Sequence, residues 1–196
     1  HYVKTYCKHA NLVFMGGVAL NCVANSRIAA LGKNMWIMPN PGDCGSSLGA
    51  AALAYGKKLK WKGPYLGANI CQEINPREVV EYLYDNAYCG VANGRAEFGP
   101  RALGNRSILY DPTDPNGKDH VNKVKNREYF RPFAGTILYE HVHEWFDLRG
   151  MDETPHMMYA VNCQPGIEEK IPSIIHVDGT CRIQTVKRDQ NPHYYD

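Results

Sequence analysis

The sequence predicts an α/β fold, on three observations. Short apolar runs of strand length alternate with segments whose apolar residues recur at helical spacing. Glycine or proline stands at most of the junctions. A basic break after residue 57 separates two strand–helix units from a longer stretch of interspersed strands and helices. Leu12 to Met15 is the first apolar run, ending in Gly16-Gly17; Leu20 to Leu31 follows with helical spacing, and Gly32 provides a C-terminal cap. Met35 to Met38 repeats the strand, Pro39 to Asp43 turns the chain, and Ser46 or Ser47 caps a second helix through Tyr55. That helix carries Gly49, Ala50, Ala51, Ala52 and Ala54, small residues that allow close approach, so it is expected to be buried.

Residues 58–66 read as a linker between 1–57 and 67–196, because Lys57 to Gly67 is polar, basic and closed by Gly-Pro punctuation. Two strand–helix units bury too little surface to stand alone, and the chain opens at His1 inside what reads as a helix tail. Residues 1–57 are therefore expected to be the end of a larger domain whose beginning is absent. After the break, Asn75-Pro76-Arg77-Glu78 supplies a cap, an N1 proline and an N3 glutamate ahead of Val79, Val80, Tyr82 and Leu83, which predicts a helix. Strands are expected at 90–92, 107–110, 135–139, 157–162, 173–177 and 182–186, with Asp178-Gly179-Thr180 as a hairpin turn, and helices at 114–125 and 141–146.

Composition narrows the functional classes. With 44% hydrophobic and 21% charged residues the chain is neither disordered nor fibrous. A net charge of +2 is too small for nucleic-acid or membrane binding through bulk charge, so any anion site is local. The seven cysteines show no CxxC or other metal-type spacing and read as free thiols. No apolar run approaches the ~18 residues of a membrane span and no signal-peptide pattern precedes the first strand, so a cytoplasmic protein is expected.

Gly16-Gly17 and Asn21 sit where a strand hands over to a helix, a place where backbone amides approach a phosphate or ribose, or simply turn tightly. Asp43, in Gly42-Asp-Cys-Gly45, could hold a metal, bond a ribose or cap its helix. Two such turns would be neighbours at one edge of a parallel sheet, where α/β folds bind ligands. The denser signal runs from 94 to 131, where eight Lys/Arg against five Asp/Glu give +3. Arginines set among glycine and proline sit on turns of fixed geometry, where planar guanidinium groups grip phosphate oxygens in pairs. The competing description is an exposed basic loop that pairs internally with Glu97 and Glu128. Lys125 and Arg127 at i, i+2 in an extended stretch would point to one face. His176, Asp178 and Arg182 flank the late hairpin and suit either acid–base work or a structural bond at the turn. The histidines at 120, 141, 143 and 156 show no HExxH-like spacing.

Taken together, Gly16-Gly-Val-Ala-Leu-Asn21, Gly42-Asp-Cys-Gly45, Glu97-Phe-Gly-Pro-Arg-Ala-Leu-Gly-Asn-Arg-Ser107, Lys125-Asn-Arg-Glu-Tyr-Phe-Arg-Pro-Phe133 and His176-Val-Asp-Gly-Thr-Cys-Arg182 resemble the O-carbamoyltransferase family over nearly the whole chain. The resemblance implies a YrdC-like mixed α/β domain at 67–196, preceded at 1–57 by the last strand–helix units of an actin-like ATPase-fold transferase domain. It implies that carbamoyl phosphate and ATP, with Mg²⁺, give carbamoyl-adenylate and pyrophosphate in the YrdC-like domain. The carbamoyl group then passes to a hydroxyl-bearing small-molecule acceptor in the transferase domain.

By the same resemblance Arg101, Arg106, Lys125 and Arg127 are the catalytic candidates. Asn105, Ser107, Arg131, His176, Asp178 and Arg182 join them in binding carbamoyl phosphate and ATP. Gly16, Gly17 and Asn21 match a nucleotide loop of the transferase domain, and Asp43 matches a ligand of its Fe²⁺. The partner histidines of that metal are expected in a missing N-terminal part, without which transfer is not expected to be completed. A YrdC-like RNA- or nucleotide-binding module without transferase activity is the alternative, although the turn-bound arginines and few exposed aromatics make nucleic acid a poor fit.

Overall fold

The computed structural model describes residues 1–196. The elements in chain order are α1 (Tyr2–Tyr6), β1 (Asn11–Val13), α2 (Cys22–Ala29), β2 (Asn34–Trp36), α3 (Ser46–Tyr55), β3 (Tyr65–Ile70) and α4 (Pro76–Asn86). They continue as β4 (Tyr88–Ala92), β5 (Gly94–Glu97), β6 (Arg106–Tyr110), α5 (Gly117–Val124), β7 (Ala134–Leu138) and α6 (Val142–Trp145). The last are β8 (Phe146–Asp147), β9 (Ala160–Cys163), β10 (Thr180–Val186) and α7 (Pro192–Tyr195). The architecture is mixed α/β with small sheets, as the alternating patterns predict.

β1 and β2 pair in parallel, with Leu12 opposite Met35. The two glycine turns beyond them meet: the Gly16 amide donates to the Pro41 carbonyl at 2.7 Å. Asn21 opens α2 by accepting from the Ala24 amide at 3.0 Å. The four-stranded sheet runs β7-β10-β9-β8, parallel only between β7 and β10. Its apolar face makes the main core with Val142, Phe146, Leu148, Val161, Ile171, Ile174 and Ile183.

Residues 1–57 do not stand apart from the rest. Ala19 and Ile37 share a second buried cluster with Met158 and Tyr159. Two buried polar residues of α2 reach the same strand region: Asn25 Nδ2 donates to the Met158 carbonyl at 2.8 Å and to Ala19 at 2.7 Å. Ser26 Oγ donates to the Ala160 carbonyl at 2.6 Å and accepts from the Ala160 amide at 2.9 Å.

Four expectations need correction. Residues 173–177 do not form a strand: Pro172–Ile174 is a 3₁₀ turn, since Pro172 has no N–H for a ladder and the Ser173 hydroxyl and amide are taken by the Asp114 and Pro112 carbonyls. Only one bridge, Ile175 to Cys181, is left of the hairpin. α3 is not buried, and Leu53 is 85% exposed, because nothing in this chain packs on its small face. β3 lies partly in the stretch read as a linker and pairs with β5, also read as loop, across a register shift between Tyr65 and Asn69.

All seven cysteines are free thiols, as the spacing predicts. No helix is long and apolar enough to cross a membrane.

Ser26→Ala should strip the Ala160 amide and carbonyl of their shared partner in a buried setting, and lower stability by about 1–3 kcal/mol in urea unfolding. A change below a few tenths would show that α2 is not anchored there. His156 is held down to about 4, chiefly by burial, with Glu153 opposing. A histidine depressed in the folded state takes up protons on unfolding below its ordinary pKa near 6.5, so stability is lost as pH falls from there towards 4. The loss should reach about 3 kcal/mol, and His156→Gln should flatten that part of the pH–stability curve.

Candidate functional site

The turn from 97 to 107 is built around one carboxylate. Glu97, ending β5, accepts through Oε1 from the amides of Leu103 (2.7 Å), Asn105 (2.9 Å) and Arg106 (3.2 Å). Glycine is required where the turn touches its neighbours: a Cβ on Gly99 would lie 2.6 Å from the Pro39 carbonyl oxygen, and one on Gly104 (φ 110°) would enter the Tyr194 ring. Asn105 is buried, donating to the Arg95 carbonyl at 2.8 Å and accepting from Asn191 at 2.8 Å.

The turn's two arginines have opposite fates. Arg106 spends its guanidinium on backbone carbonyls of Ala68, Asn93, Gly94 and Asn105 and ties the turn to β3 and β5. Arg101 instead reaches a cleft of about 730 Å³. It donates through Nη2 to the Leu20 carbonyl at 3.2 Å, while its buried Nε has no partner.

Arg101, Lys118, Lys125, Arg127 and Arg182 all line this cleft, and no Asp or Glu does. Arg182 also has a buried Nε without a partner. Burial lowers its guanidinium to about 10, and the charges of Arg101 and Arg127 push the same way. Burial is likewise the main cause that lowers Arg101, Lys125 and Arg127, with Arg127 acting on Lys125 and Arg131 on Arg127. Desolvated like charges with no counter-charge between them are costly, and a bound anion would relieve both costs at once. Arg127 is held in place by Asn122 Oδ1 (2.7 Å) and lies over the Phe133 ring at 4.5 Å. The rest of the lining is largely apolar and includes the aromatic side chains of Phe133, Trp145 and Tyr194 beside Ile137.

Of the sequence-predicted residues, the cleft therefore gathers Arg101, Ser107, Lys125, Arg127 and Arg182. Ser107 Oγ also accepts from the Gly104 amide at 2.9 Å. Lys125 and Arg127 do not meet there as an extended pair: Lys125 closes α5, and Asn126 turns the chain with φ 47°. Asn105 and Arg106 support the turn from outside the cleft. Arg131 pairs on the surface with Glu128 at 2.7 Å, the internal ion pair weighed for an exposed loop.

His176 and Asp178 do not line the cleft. His176 Nε2 lies 3.4 Å from the Phe133 carbonyl, and Asp178 accepts from the Thr180 amide and hydroxyl, closing its own turn. Gly16, Gly17 and Asn21 stay at the strand–helix turn, where the Asn21 side chain serves as the cap. Asp43 is exposed at the start of a 3₁₀ turn, and no group of three or more His, Cys, Asp or Glu side chains could hold a metal ion. The iron ligand set implied by resemblance is thus not present in this chain. Sequence reading missed Lys118 and Tyr194, whose only signal was a cation early in a helix and an aromatic beyond the last strand. It also cast Glu97 as an ion-pair partner, whereas its oxygen takes backbone amides.

Comparison with known proteins places this cleft in context. The family model described as carbamoyltransferase C-terminus matches residues 80–196, and the one described as carbamoyltransferase N-terminus matches residues 1–52. The nodulation protein NolNO of Sinorhizobium fredii is 35% identical over 94% of this chain and 32% of its own length. Nodulation protein NolO of Bradyrhizobium diazoefficiens is 35% identical over 94% of this chain and 39% of its own. Nodulation protein U of the same organism is 37% identical over 93% and 34% respectively. The chain thus spans roughly a third of the length of these relatives.

Glu97→Ala would leave three amides of the turn without their acceptor. It should cost about 3 kcal/mol and release Arg101 from its place in the cleft, seen as loss of anion-induced thermal stabilisation. Unchanged stabilisation by pyrophosphate in a folded Glu97→Ala protein would show that the turn is held by other contacts.

Proposed function

The chain belongs to the carbamoyltransferase family, and from that premise we propose that its cation-lined cleft activates carbamoyl phosphate with ATP to form carbamoyl-adenylate. The carrying observation is the composition of the cleft: five Lys/Arg cations, no carboxylate and several aromatic side chains in one concavity. Carbamoyl phosphate beside a triphosphate concentrates negative charge, and fixed guanidinium groups in a poorly solvated site stabilise it best where it grows in the transition state. The aromatic side chains in the lining suit a purine.

In the proposed reaction the phosphoryl group of carbamoyl phosphate goes to water as inorganic phosphate. The freed carbamate oxygen attacks the α-phosphorus of ATP, and pyrophosphate leaves. Arg101 and Arg182, each with an uncommitted Nε, would hold the phosphates, Lys125 and Arg127 would neutralise the leaving pyrophosphate, and Ser107 would orient the carbamoyl group. Mg²⁺ would be held by phosphate oxygens, since the cleft offers it no carboxylate.

On this reading residues 67–196 are a YrdC-like domain and 1–57 the end of an actin-like transferase domain. Transfer to an acceptor hydroxyl, and the Fe²⁺ site to which Asp43 would contribute, would need the remainder of a longer protein. Arg106, Asn105, Arg131, His176 and Asp178 then act by shaping or flanking the cleft. A binding module for RNA is less well supported, because the cations line a concavity with an apolar wall instead of a surface stripe.

Carbamoyl phosphate-dependent exchange of labelled pyrophosphate into ATP tests the proposal. Exchange should fall by about 10²-fold or more in Arg101→Ala and Arg182→Ala. A folded wild-type chain without exchange, or exchange indifferent to both substitutions, would overturn it. Salt-sensitive RNA binding that survives Arg101→Ala would favour the module.

A further inference from the structure

Of the chain's seven free thiols, only Cys163 and Cys181 touch each other, with their sulfurs 3.7 Å apart. The sheet register explains the meeting. β9 and β10 run antiparallel with Val161 opposite Cys181, so Cys163, two residues further along β9, takes the diagonal position on the same face. Both side chains belong with Val161 and Ile183 to the main core. Arg182, between Cys181 and Ile183, alternates to the other face and lines the cation-lined cleft.

The two thiols differ in access. Cys181 is 0% exposed, whereas Cys163 is half-buried. Burial pushes Cys163 up, and its hydrogen bond with Cys181 offsets part of that rise, while Cys181 is pushed up by burial and by Cys163 together. Cys163 is therefore the thiol that solvent reaches and that ionises first, with Cys181 as the partner behind it. To form a disulfide the sulfurs have to close from 3.7 Å to roughly 2 Å. Both lie at strand ends, where such a shift is least resisted: Cys163 is the last residue of β9, and β10 begins at Thr180 directly after Gly179 (φ 76°).

We propose that Cys163 and Cys181 form an oxidation site that a peroxide converts to a reversible disulfide. The Cys163 thiolate attacks one oxygen of hydrogen peroxide, the O–O bond breaks, and a sulfenic acid and hydroxide result. The Cys181 thiol then attacks the sulfenic sulfur; the S–O bond breaks, the S–S bond forms and water leaves. The hydroxide takes up the proton that Cys163 lost, so two thiols are oxidised and one peroxide is reduced to two waters. The bond would lie one residue from a cation of the cleft. The inference does not rest on the activation chemistry proposed there.

Treatment of the reduced chain with hydrogen peroxide, alkylation of the remaining thiols and peptide mass spectrometry without reductant test the proposal. A peptide pair joined through Cys163 and Cys181 should form roughly tenfold or more faster than any other cysteine link. Free thiols should fall by two and return with dithiothreitol. Cys163→Ser, at a half-buried side chain, should abolish the link and leave Cys181 unoxidised in the folded chain. Cys181→Ser should stop Cys163 at the sulfenic acid, trapped with dimedone. Oxidation of other cysteines while Cys163 and Cys181 stay as thiols would overturn the proposal. So would a link between them that forms in urea but not in the folded protein, which would mean that the sheet holds the sulfurs apart.

Discussion

One carboxylate oxygen decides the geometry of the cation-lined cleft. Glu97 Oε1 gathers three amides of the turn that follows β5, and a charged acceptor holds amides more strongly than a neutral one. With the turn fixed, Arg106 is directed into a cage of backbone carbonyls and Arg101 into the cleft. The two residues share a motif and a charge but not a role. What separates them is which backbone oxygens lie within reach once the turn has closed.

The second constraint is electrostatic. Arg101, Arg127 and Arg182 are drawn together from a turn, a helix end and a strand, and burial weakens each as a cation in the absence of an anion. Two of the three guanidinium groups retain neutral partners that offset part of this cost: the Leu20 carbonyl for Arg101, and Asn122 with the Phe133 ring for Arg127. The partnerless Nε atoms of Arg101 and Arg182 mark where that compensation stops. On the proposed function, phosphate-bearing substrates would bring the missing negative charge.

The first 57 residues are joined to the remainder by more than apolar contact. Asn25 and Ser26 carry hydrogen bonds from α2 to the chain around β9, and Arg101 reaches back to the Leu20 carbonyl. The glycine turn that follows β1 and the cation-lined cleft are therefore linked through one side chain. Met35, Trp36 and Ile37 of the first part also line a cavity with residues 153–159, whereas the cation-lined cleft is walled by residues of the second part alone.

The alternating patterns determined the α/β class, the parallel pair of β1 and β2, and α4, whose cap, N1 proline and N3 glutamate are local signals read within one helical turn. The motif from Glu97 to Ser107, with four others, pointed to the family, and it supplies Arg101 and Ser107 to the candidate cleft. Pattern alone did not find β3 and β5, because a strand paired across a bulge and bordered by basic residues lacks clean alternation. Nor did it distinguish Arg101 from Arg106, place Arg131 outside, or bring Lys118 and Tyr194 to the cleft. Those outcomes belong to tertiary structure, for a physical reason: a guanidinium group goes where the sum of carbonyl partners, neighbouring charges and lost hydration is lowest, and each of those terms is set by residues distant in sequence.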